Sequence, residues 1–337
     1  LARFDPADAR KVNGVVDVFA IETGVAVVAQ TSFAARKGRD ALRVEWDDSE
    51  AETRSTPDLI RYYHELAEGR GDLSPSDFAM QGEQPKTPFS GDVVEFAFDF
   101  PYLAHAPMET LDCVVAVNGW DVAITSGSHI PIIDQVQAAL TARTIPGRVD
   151  LEVIPAGGSF GRRGVMSADY VVECVRIAKR TNGRPVKMIW TREDEMMAGY
   201  FRPMSHHRLS VQMGPDGFPQ RWRIRSVCQP LVPVGPNSQA VEGIEGSPYF
   251  STASTVDGKV FSPSFAVPPS FWRSVGHSHT AFVMEHVIDQ LARRAGRDPA
   301  VYRRTFYEKG GDTRRLTMLD ELCLRSGWGE PIEAGWA

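Results

Sequence analysis

The segment that most constrains the fold is a glycine-rich stretch between a predicted strand and a predicted helix. Gly157-Gly158-Ser159-Phe160-Gly161-Arg162-Arg163-Gly164 follows the apolar run Val149–Ile154 and precedes the helix-like run Ser167–Arg180. Glycines let a backbone approach a ligand closely, free amides at a helix start favour anions, and paired arginines can hold phosphate oxygens in bidentate fashion. The segment is therefore typical of a loop that binds a phosphate-bearing cofactor. From spacing alone a tight turn with two solvated arginines carries equal weight, because neither the P-loop ending nor the GxGxxG spacing is present.

Hydrophobic periodicity predicts an α+β fold made of more than one unit. A chain of 337 residues exceeds the usual size of a single core. Residues 1–50 have the pattern strand, helix, strand, at 24–29, 32–41 and 42–46. Residues 51–91 are polar and rich in Pro, Gly and Ser apart from a helical stretch at Pro57–Ala67, and we predict that they form a linker. Residues 92–337 then form the larger unit.

In that larger unit the pattern mixes antiparallel strands with helices. Asn118-Gly119, between two alternating runs, is the strongest short hairpin signal, and Pro215-Asp216-Gly217 marks a second hairpin. Proline and serine interrupt any pattern from Val256 to Phe271. Further strands are predicted at 92–100, 149–154 and 184–191, and helices at 131–142, 167–180, 280–295, 299–308 and 316–326.

Composition limits the partners that the chain can be expected to have. The net charge is −6, 42% of the residues are hydrophobic and no block of like charges occurs, so nucleic acid is not an expected partner. The four cysteines, Cys113, Cys174, Cys228 and Cys323, form no closely spaced set for zinc or an iron–sulfur cluster. We interpret them as isolated buried thiols. Any iron–sulfur centre used in a redox reaction must then lie on another chain.

A second candidate site is Phe271-Trp272-Arg273-Ser274-Val275-Gly276, between a proline-rich loop and a helix. An arginine flanked by an aromatic and small residues at a helix entry can orient a substrate or stabilise developing negative charge. On these residues alone the structural alternative is favoured, in which Arg273 stacks on Trp272 and caps the loop.

The histidines give no metal site from spacing. His277 and His279 would share one face of an extended segment but not of a helix, and no third ligand lies nearby in the sequence. His206 and His207 precede a predicted strand, and we interpret them as surface or hairpin residues. No metal ligands are therefore predicted.

Five spaced motifs occur in a characteristic order. They are Ala106-Pro107-Met108-Glu109, then Gly157–Arg163, Asp169-Tyr170-Val171-Val172-Glu173, Trp190-Thr191-Arg192-Glu193-Asp194 and Phe271–Gly276. This order resembles the molybdenum-binding subunit of the xanthine dehydrogenase/aldehyde oxidase family, in its isoquinoline 1-oxidoreductase and membrane-bound aldehyde dehydrogenase branch. The resemblance implies that residues 1–50 are part of an N-terminal α/β hammerhead-like domain and residues 92–337 the first part of a molybdopterin-binding domain.

The resemblance also implies the cofactor contacts. Molybdenum with molybdopterin cytosine dinucleotide would be held by the glycine loop, with Phe160 against the metal's ligands and with Arg162 and Arg163 serving the phosphates or the pterin. His129 stands where xanthine dehydrogenases carry a glutamine that contacts the metal centre, which makes His129 the expected replacement.

The substrate side is implied in the same way. Arg273 matches the family's active-site arginine, and Trp272 and Glu109 are assigned to the substrate pocket. The substrate-binding glutamate of purine-specific enzymes has no clear counterpart here, which disfavours a purine. Gly329-Glu330 is not assigned as the general base, which is expected outside this chain.

The implied reaction is oxidation of an aldehyde or an N-heteroaromatic compound, with water as the oxygen source. Electrons would pass to [2Fe-2S] clusters on a small iron–sulfur subunit and then to a cytochrome c subunit. The chain begins at Leu1 without methionine and ends at Gly335-Trp336-Ala337, so we expect a processed, split or truncated chain whose partners include the rest of the molybdenum subunit. The alternative is a non-catalytic cofactor-binding and assembly half. Members of this branch suggest the periplasm or the periplasmic face of the inner membrane, with the cytoplasm as the alternative.

Overall fold

The computed structural model describes residues 1–83, 87–231 and 237–331. Its contacts divide the chain into two units that alternate along the sequence. Unit 1 contains Leu1–Thr53, Leu103–Arg202 and Phe265–Arg273, and unit 2 contains Arg54–Tyr102, Pro203–Ser264 and the described part of Ser274–Ala337. The chain therefore enters each unit more than once.

The described residues form the following strands and helices. The strands are β1 (Arg3–Asp5), β2 (Val15–Ile21), β3 (Gly24–Ala29), β4 (Arg43–Glu45), β5 (Ser76–Gln81), β6 (Val93–Phe100), β7 (Leu103–Ala104), β8 (Asp112–Asn118), β9 (Asp121–Ser126), β10 (Val149–Val153), β11 (Val186–Ile189), β12 (Phe201–Arg202), β13 (Ser205–Met213), β14 (Pro219–Cys228) and β15 (Thr255–Phe261). The helices are α1 (Ala7–Arg10), α2 (Ser32–Asp40), α3 (Thr56–Ala67), α4 (Pro131–Ala142), α5 (Asp169–Ala178), α6 (Arg192–Ala198), α7 (His277–Arg294), α8 (Pro299–Lys309) and α9 (Thr313–Ser326).

Unit 1 is built on a four-stranded sheet with the order β10-β9-β8-β11. The β8–β9 hairpin turns at Gly119, whose φ of +60° suits glycine. Strands β9 and β10 run parallel, so their connection must cross over, and α4 forms that crossover. Helices α4 and α5 contact each other and the sheet. On α5 the buried Tyr170, Cys174 and Ala178 recur at four-residue spacing, which places one apolar face on the core.

Unit 2 is built on a five-stranded sheet with the order β5-β15-β14-β13-β6. Only the β14–β15 pair in this sheet is parallel. Alternate residues such as Leu209 and Val211 on β13 are fully buried in a core that also contains Val283 and Val287 of α7. Helix α8 begins after Asp298, whose side chain accepts hydrogen bonds from the amides of Ala300 and Val301.

Most of the predicted elements are confirmed. The helix at 131–142 has the predicted bounds, and the strand–helix–strand pattern of residues 24–46, both hairpins and the three C-terminal helices are present. The strand β15 was missed, because its alternation is followed directly by the proline- and serine-rich residues that concealed it. Strand β2 was missed as well.

The predicted linker at 51–91 needs correction. Its described residues contain α3 and also β5, which pairs with β15 inside the sheet of unit 2. Polar composition suggested a linker because β5 lies at the edge of its sheet and buries little apolar surface. The predicted single unit at 92–337 is divided between the two units instead. Residues 84–86, 232–236 and 332–337, including the predicted chain end at 335–337, lie outside the described residues.

The cysteines and the length of the apolar helices can also be compared with the sequence-based predictions. Cys113, Cys174 and Cys228 are buried free thiols, as predicted, whereas Cys323 is only half-buried. No helix in the described ranges is both long enough and apolar enough to span a membrane.

Candidate active site

Four segments of unit 1 meet at one edge of its sheet. Strands β9 and β10 are parallel, so residues 127–129 and 154–164 leave the sheet at the same edge. Strand β8 is antiparallel to β9, and β11 to β8, so residues 106–111 and 190–195 lie at that edge too. The sheet topology thereby brings three of the five sequence motifs to one place, together with residues 127–129.

Two of these motifs bind each other directly. Arg192 at the start of α6 donates to the carbonyl oxygens of Pro107 at 2.6 Å and Met108 at 3.0 Å. Helix α6 begins there because Thr191 and Asp194 form a capping box, in which each side chain caps the other residue's backbone amide. The turn at 106–109 is therefore held by the helix that follows β11.

The glycine loop, defined here as Gly157–Gly164, has a backbone that favours glycine at two positions. Gly158 and Gly161 have φ values of +118° and +112°. A Cβ atom on Gly161 would lie 2.0 Å from the carbonyl oxygen of Phe271, so glycine is required where the loop approaches the Arg273 segment.

The glycine loop presents three consecutive unpaired amides. Within the described part of the chain, the backbone N–H groups of Gly158, Ser159 and Phe160 donate to no protein acceptor. The following amides are satisfied, because Ser159 accepts from Gly161, Arg162 and Arg163. Successive free amides are donors of the kind that bind anions.

Arg162 is buried and supports the loop from behind. Its guanidinium forms two hydrogen bonds with the carboxylate of Asp169, at 2.9 and 2.7 Å. The rings of Trp190 and Tyr200 lie 5.3 and 5.2 Å from its Cζ atom, which places the cation in contact with two aromatic side chains. The loop is thus tied to the first turn of α5 and to the end of β11.

Arg163 is buried as well and points to a second group of acceptors. Its guanidinium donates to the Gly158 carbonyl at 3.2 Å, and to the Thr110 carbonyl and the Asp112 carboxylate, each at 3.1 Å. The carboxylate of Glu109 lies 3.5 Å from Arg163 Nη2 and accepts a hydrogen bond from the Gly157 amide. Asp112 and Glu109 therefore surround this arginine with negative charge.

The alternative in which the segment is a tight turn with two solvated arginines is wrong, because both side chains are buried. The direction of the two side chains could not be predicted, because the carboxylates that pair with them, Asp112 and Asp169, lie on other elements. Direct binding of the cofactor by Arg162 and Arg163 stays a prediction. The role of Glu109 in a substrate pocket also stays a prediction, and its hydrogen bond to Gly157 gives it a structural role.

Phe160 and Arg273 meet at the exposed side of the loop. The Arg273 amide donates to the Phe160 carbonyl at 2.6 Å, and the guanidinium lies 5.9 Å from the centre of the Phe160 ring. Both side chains are exposed. Both residues have left-handed φ values, +52° and +43°, which are strained for residues with a side chain and concentrate at functional sites.

The segment that carries Arg273 is fixed by backbone and histidine contacts. Strand β12 exchanges hydrogen bonds with residues 268–270 through Phe201. Buried His105 contacts the Phe271 carbonyl through Nε2 at 2.6 Å and the Tyr200 carbonyl through Nδ1 at 3.2 Å. Burial lowers the pKa of His105 against the opposing effect of the Phe271 hydrogen bond. The sequence reasoning missed this residue, although it directly precedes the Ala106–Glu109 motif.

Trp272 is partly buried and lies beside a second cation. The Arg202 guanidinium is 6.0 Å from the centre of the Trp272 ring. The indole N–H of Trp272 is buried without an acceptor in the described ranges. The alternative in which Arg273 stacks on Trp272 is wrong. Arg273 lies over the ring of Phe160, and the cation over the ring of Trp272 is Arg202.

His129 lies beside the glycine loop. It is exposed, and its Nδ1 atom is 3.3 Å from Ser159 Oγ. A Cβ atom on Gly164 would lie 3.2 Å from the same nitrogen, so the loop passes close to the ring. The contact of His129 with a metal centre stays a prediction.

A buried carboxyl group supports the neighbouring segment. Asp134 on α4 accepts a hydrogen bond from Ser128 Oγ, and its side chain is almost inaccessible. Burial raises the pKa of Asp134 to about 6, partly opposed by the hydrogen bond from Ser128.

The other singled-out histidines are in unit 2. His279 Nδ1 lies 2.8 Å from His207 Nε2, and His207 Nδ1 lies 2.9 Å from Ser226 Oγ, all in buried surroundings. The interpretation of His206 and His207 as surface residues is wrong, because β13 is a central strand whose two faces are both covered at these positions. His277 lies at the exposed start of α7.

Comparison with known proteins identifies the family. Residues 79–307 match the family described as the molybdopterin cofactor-binding domain. Over 362 residues the chain is 24% identical to the membrane-bound aldehyde dehydrogenase (pyrroloquinoline-quinone) of Gluconacetobacter polyoxogenes, and over 333 residues it is 24% identical to isoquinoline 1-oxidoreductase subunit beta of Brevundimonas diminuta. The first alignment covers 97% of this chain and 46% of the relative, and the second 89% and 40%. The chain thus spans less than half the length of these relatives.

A solved structure shares the fold of this chain. The crystal structure of quinoline 2-oxidoreductase from Pseudomonas putida 86 superposes with a TM-score of 0.70 and 19% identity, over 90% of this chain and 44% of that chain. The chain belongs to the molybdopterin cofactor-binding domain family and has the α+β fold of a molybdenum hydroxylase subunit. The resemblance drawn from the five motifs is confirmed at the level of the family.

The first prediction concerns Gly161. Gly161→Ala should disrupt the contact between the glycine loop and the Arg273 segment, because the new Cβ would overlap the Phe271 carbonyl at a φ that alanine rarely adopts. Unfolding by urea should show a loss of roughly 1–3 kcal/mol. Gly147→Ala is the matched control, since no atom lies within 4 Å of its added Cβ. Equal stabilities of the two variants would contradict the proposed close approach.

The second prediction concerns the Arg162–Asp169 pair. Arg162→Ala should lower the free energy of unfolding by about 3–5 kcal/mol, because it leaves the partly buried Asp169 without its cation. Arg148→Ala, which breaks an exposed pair with Asp121, should cost less than about 1 kcal/mol. A double-mutant cycle with Asp169→Ala measures the coupling, and additive effects would show that the pair does not hold the loop.

The third prediction concerns pH. Because the pKa of Asp134 is raised to about 6, the folded state binds its proton more tightly than the unfolded state does. Asp134 should therefore make the free energy of unfolding fall as pH rises from about 4 to about 6 and add no slope above that. Asp134→Asn keeps an acceptor for Ser128 but cannot titrate. The free energy of unfolding of the wild type minus that of this variant should show the fall between about pH 4 and about pH 6. The exposed Asp150→Asn should follow the wild type, and identical slopes for all three proteins would refute the assignment.

Proposed function

We propose that this chain forms the cofactor loop and the substrate-facing arginine of a molybdenum hydroxylase. The substrate class is an aldehyde or an electron-poor N-heteroaromatic compound, oxidised with water as the oxygen source. The cofactor is molybdenum with molybdopterin cytosine dinucleotide, and the electrons go to [2Fe-2S] clusters on a partner subunit.

The observation that carries this proposal is the contact between Phe160 and Arg273. It joins the glycine loop to a motif more than 100 residues away, and it fixes an exposed cation beside the loop's exposed aromatic ring. Phe160 and Arg273 are joined by a backbone hydrogen bond, and both have strained φ values. Such strain costs free energy that a structural turn does not need, whereas it is common in preorganised functional sites.

The residues present fit an anionic cofactor. Gly158, Ser159 and Phe160 offer three successive free amides, and behind them Arg163 Nη1 is buried without an acceptor in the described part of the chain. The indole N–H of Trp272, which has no acceptor in the described part of the chain, is a further donor in the Arg273 segment. When bound, the molybdenum cofactor supplies the redox chemistry, while the loop binds its phosphate groups and fixes its position.

What Arg273 can do chemically supports the proposed substrate class. Its exposed guanidinium can donate to a carbonyl oxygen or to a ring nitrogen, and in both cases the carbon bonded to that atom is the electrophilic one. The guanidinium therefore orients the substrate and stabilises negative charge that develops on its heteroatom. Phe160 provides an apolar surface beside it.

The second candidate is a non-catalytic half of a split subunit that contributes cofactor contacts and an assembly surface. It is supported by the alignments, which leave more than half of each relative without a counterpart in this chain. In this case another chain supplies the remaining catalytic groups, the general base among them. Both candidates place the cofactor at the same loop.

The fourth prediction tests the role of Arg273 in the complete enzyme. Arg273→Ala should keep its molybdenum and lose kcat/KM by about 10²–10³, because one preorganised donor to the reacting heteroatom is gone. Arg273→Lys should recover little, since an ammonium group cannot reproduce the planar fork. The rate is measured per molybdenum atom, together with the melting temperature.

Arg148→Ala is the control for this experiment, because it removes an exposed arginine of the same unit. It should retain both molybdenum and rate. A variant Arg273→Ala that turns over at the wild-type rate per molybdenum, with only a lower melting temperature, would show that Arg273 is structural and would overturn the proposed catalytic role.

A further inference from the structure

Unit 2 contains a cluster of two histidines and one carboxylate that the proposed reaction does not use. His206 on β13 and Asp99 on β6 are directly opposed in the antiparallel ladder of the sheet. His64, in the last turn of α3, reaches the same carboxylate from the helix that packs on this face of the sheet. Three regular elements therefore supply one residue each.

The three side chains converge on a small volume. His206 Nδ1 lies 2.8 Å from Asp99 Oδ1, and His64 Nε2 lies 2.9 and 3.1 Å from the two carboxylate oxygens. The ring centroids of the histidines are 4.3 Å apart. The three candidate ligand atoms all lie within 4.8 Å of one another.

We propose that His64, Asp99 and His206 bind a divalent transition-metal ion, with Zn²⁺ as the fitting member of that class. Zinc takes imidazole nitrogens and carboxylate oxygens at about 2.0–2.2 Å, so ligands at tetrahedral positions lie about 3.3 Å apart. The two separations from Asp99 Oδ1, 2.8 Å to His206 Nδ1 and 2.9 Å to His64 Nε2, need to open by roughly half an ångström to reach that arrangement. Two histidines and one carboxylate leave a fourth position for water or another small ligand.

The surroundings suit a cation. The His64 and Asp99 side chains are 41% and 42% exposed, so an ion can enter, whereas the His206 side chain is 4% exposed and is held by its strand. Arg208, two residues after His206 on β13, is paired with Glu68 at 2.8 Å and lies 3.9 Å from Glu95. A bound ion would therefore meet a carboxylate and two imidazoles, with the neighbouring arginine already neutralised.

The contacts of the two imidazoles with Asp99 also have an explanation that needs no metal ion. The competing account is a metal-free network in which both imidazoles donate to Asp99, and it predicts no zinc binding.

The test is zinc binding by the complete protein after dialysis against a chelator. Isothermal titration with ZnCl₂ should show a site that His64→Ala and Asp99→Asn each weaken at least tenfold. Zinc should also raise the melting temperature of the wild type and not that of His64→Ala, because the ion links α3 to two strands. His277→Ala is the matched control, since His277 has a nearby carboxylate, Glu242 at 3.6 Å, but lies outside this cluster.

Four outcomes decide the question. Loss of the site in His64→Ala and Asp99→Asn, with retention in His277→Ala, supports the proposal. A visible spectrum typical of four- or five-coordinate Co²⁺, present in the wild type and absent from His64→Ala, supports it independently of stability. No zinc binding in the folded wild type overturns it. Equal affinity in the wild type and His64→Ala also overturns it, because the zinc then binds elsewhere.

Discussion

The glycine loop depends on the burial of two adjacent positive charges. A buried guanidinium without partners would cost several kcal/mol, so Arg162 and Arg163 can face inward only because carboxylates meet them. Asp169 comes from the first turn of α5 and Asp112 from the start of β8, so the loop is anchored to a helix and to the sheet at once. With both side chains turned inward, the outer side of the loop presents backbone amides and the Phe160 ring.

This arrangement explains why the functional motifs are far apart in the sequence. The edge of the unit 1 sheet gathers four segments, and strand β12 with His105 brings in the fifth, which carries Arg273. The motifs contribute different chemical groups and contacts to the site. The loop provides free amides, the 106–109 turn and α6 provide support, and the last segment provides an exposed cation on a strained backbone. Strain of this kind persists only where the surrounding contacts determine the conformation.

Local patterns were sufficient to predict much of the fold. The proline that begins α4 and the Asn118-Gly119 turn gave correct elements, because the signals that form them are contiguous in the sequence. The division into units could not be predicted in this way, since β5 belongs to its sheet through pairing with β15, about 180 residues away. The same holds for the site. Sequence placed Phe160 and Arg273 in motifs, but the inward direction of Arg162 and the assembly of His64 with His206 depend on partners distant in the chain.

The central claim is that the glycine loop binds a molybdenum cofactor, and the most direct measurement is the metal and nucleotide content of the complete purified protein. The account predicts molybdenum in a constant ratio to this chain, with cytidine monophosphate released in equal amount by acid hydrolysis. A folded, complete protein that contains neither molybdenum nor a cytosine nucleotide would contradict it.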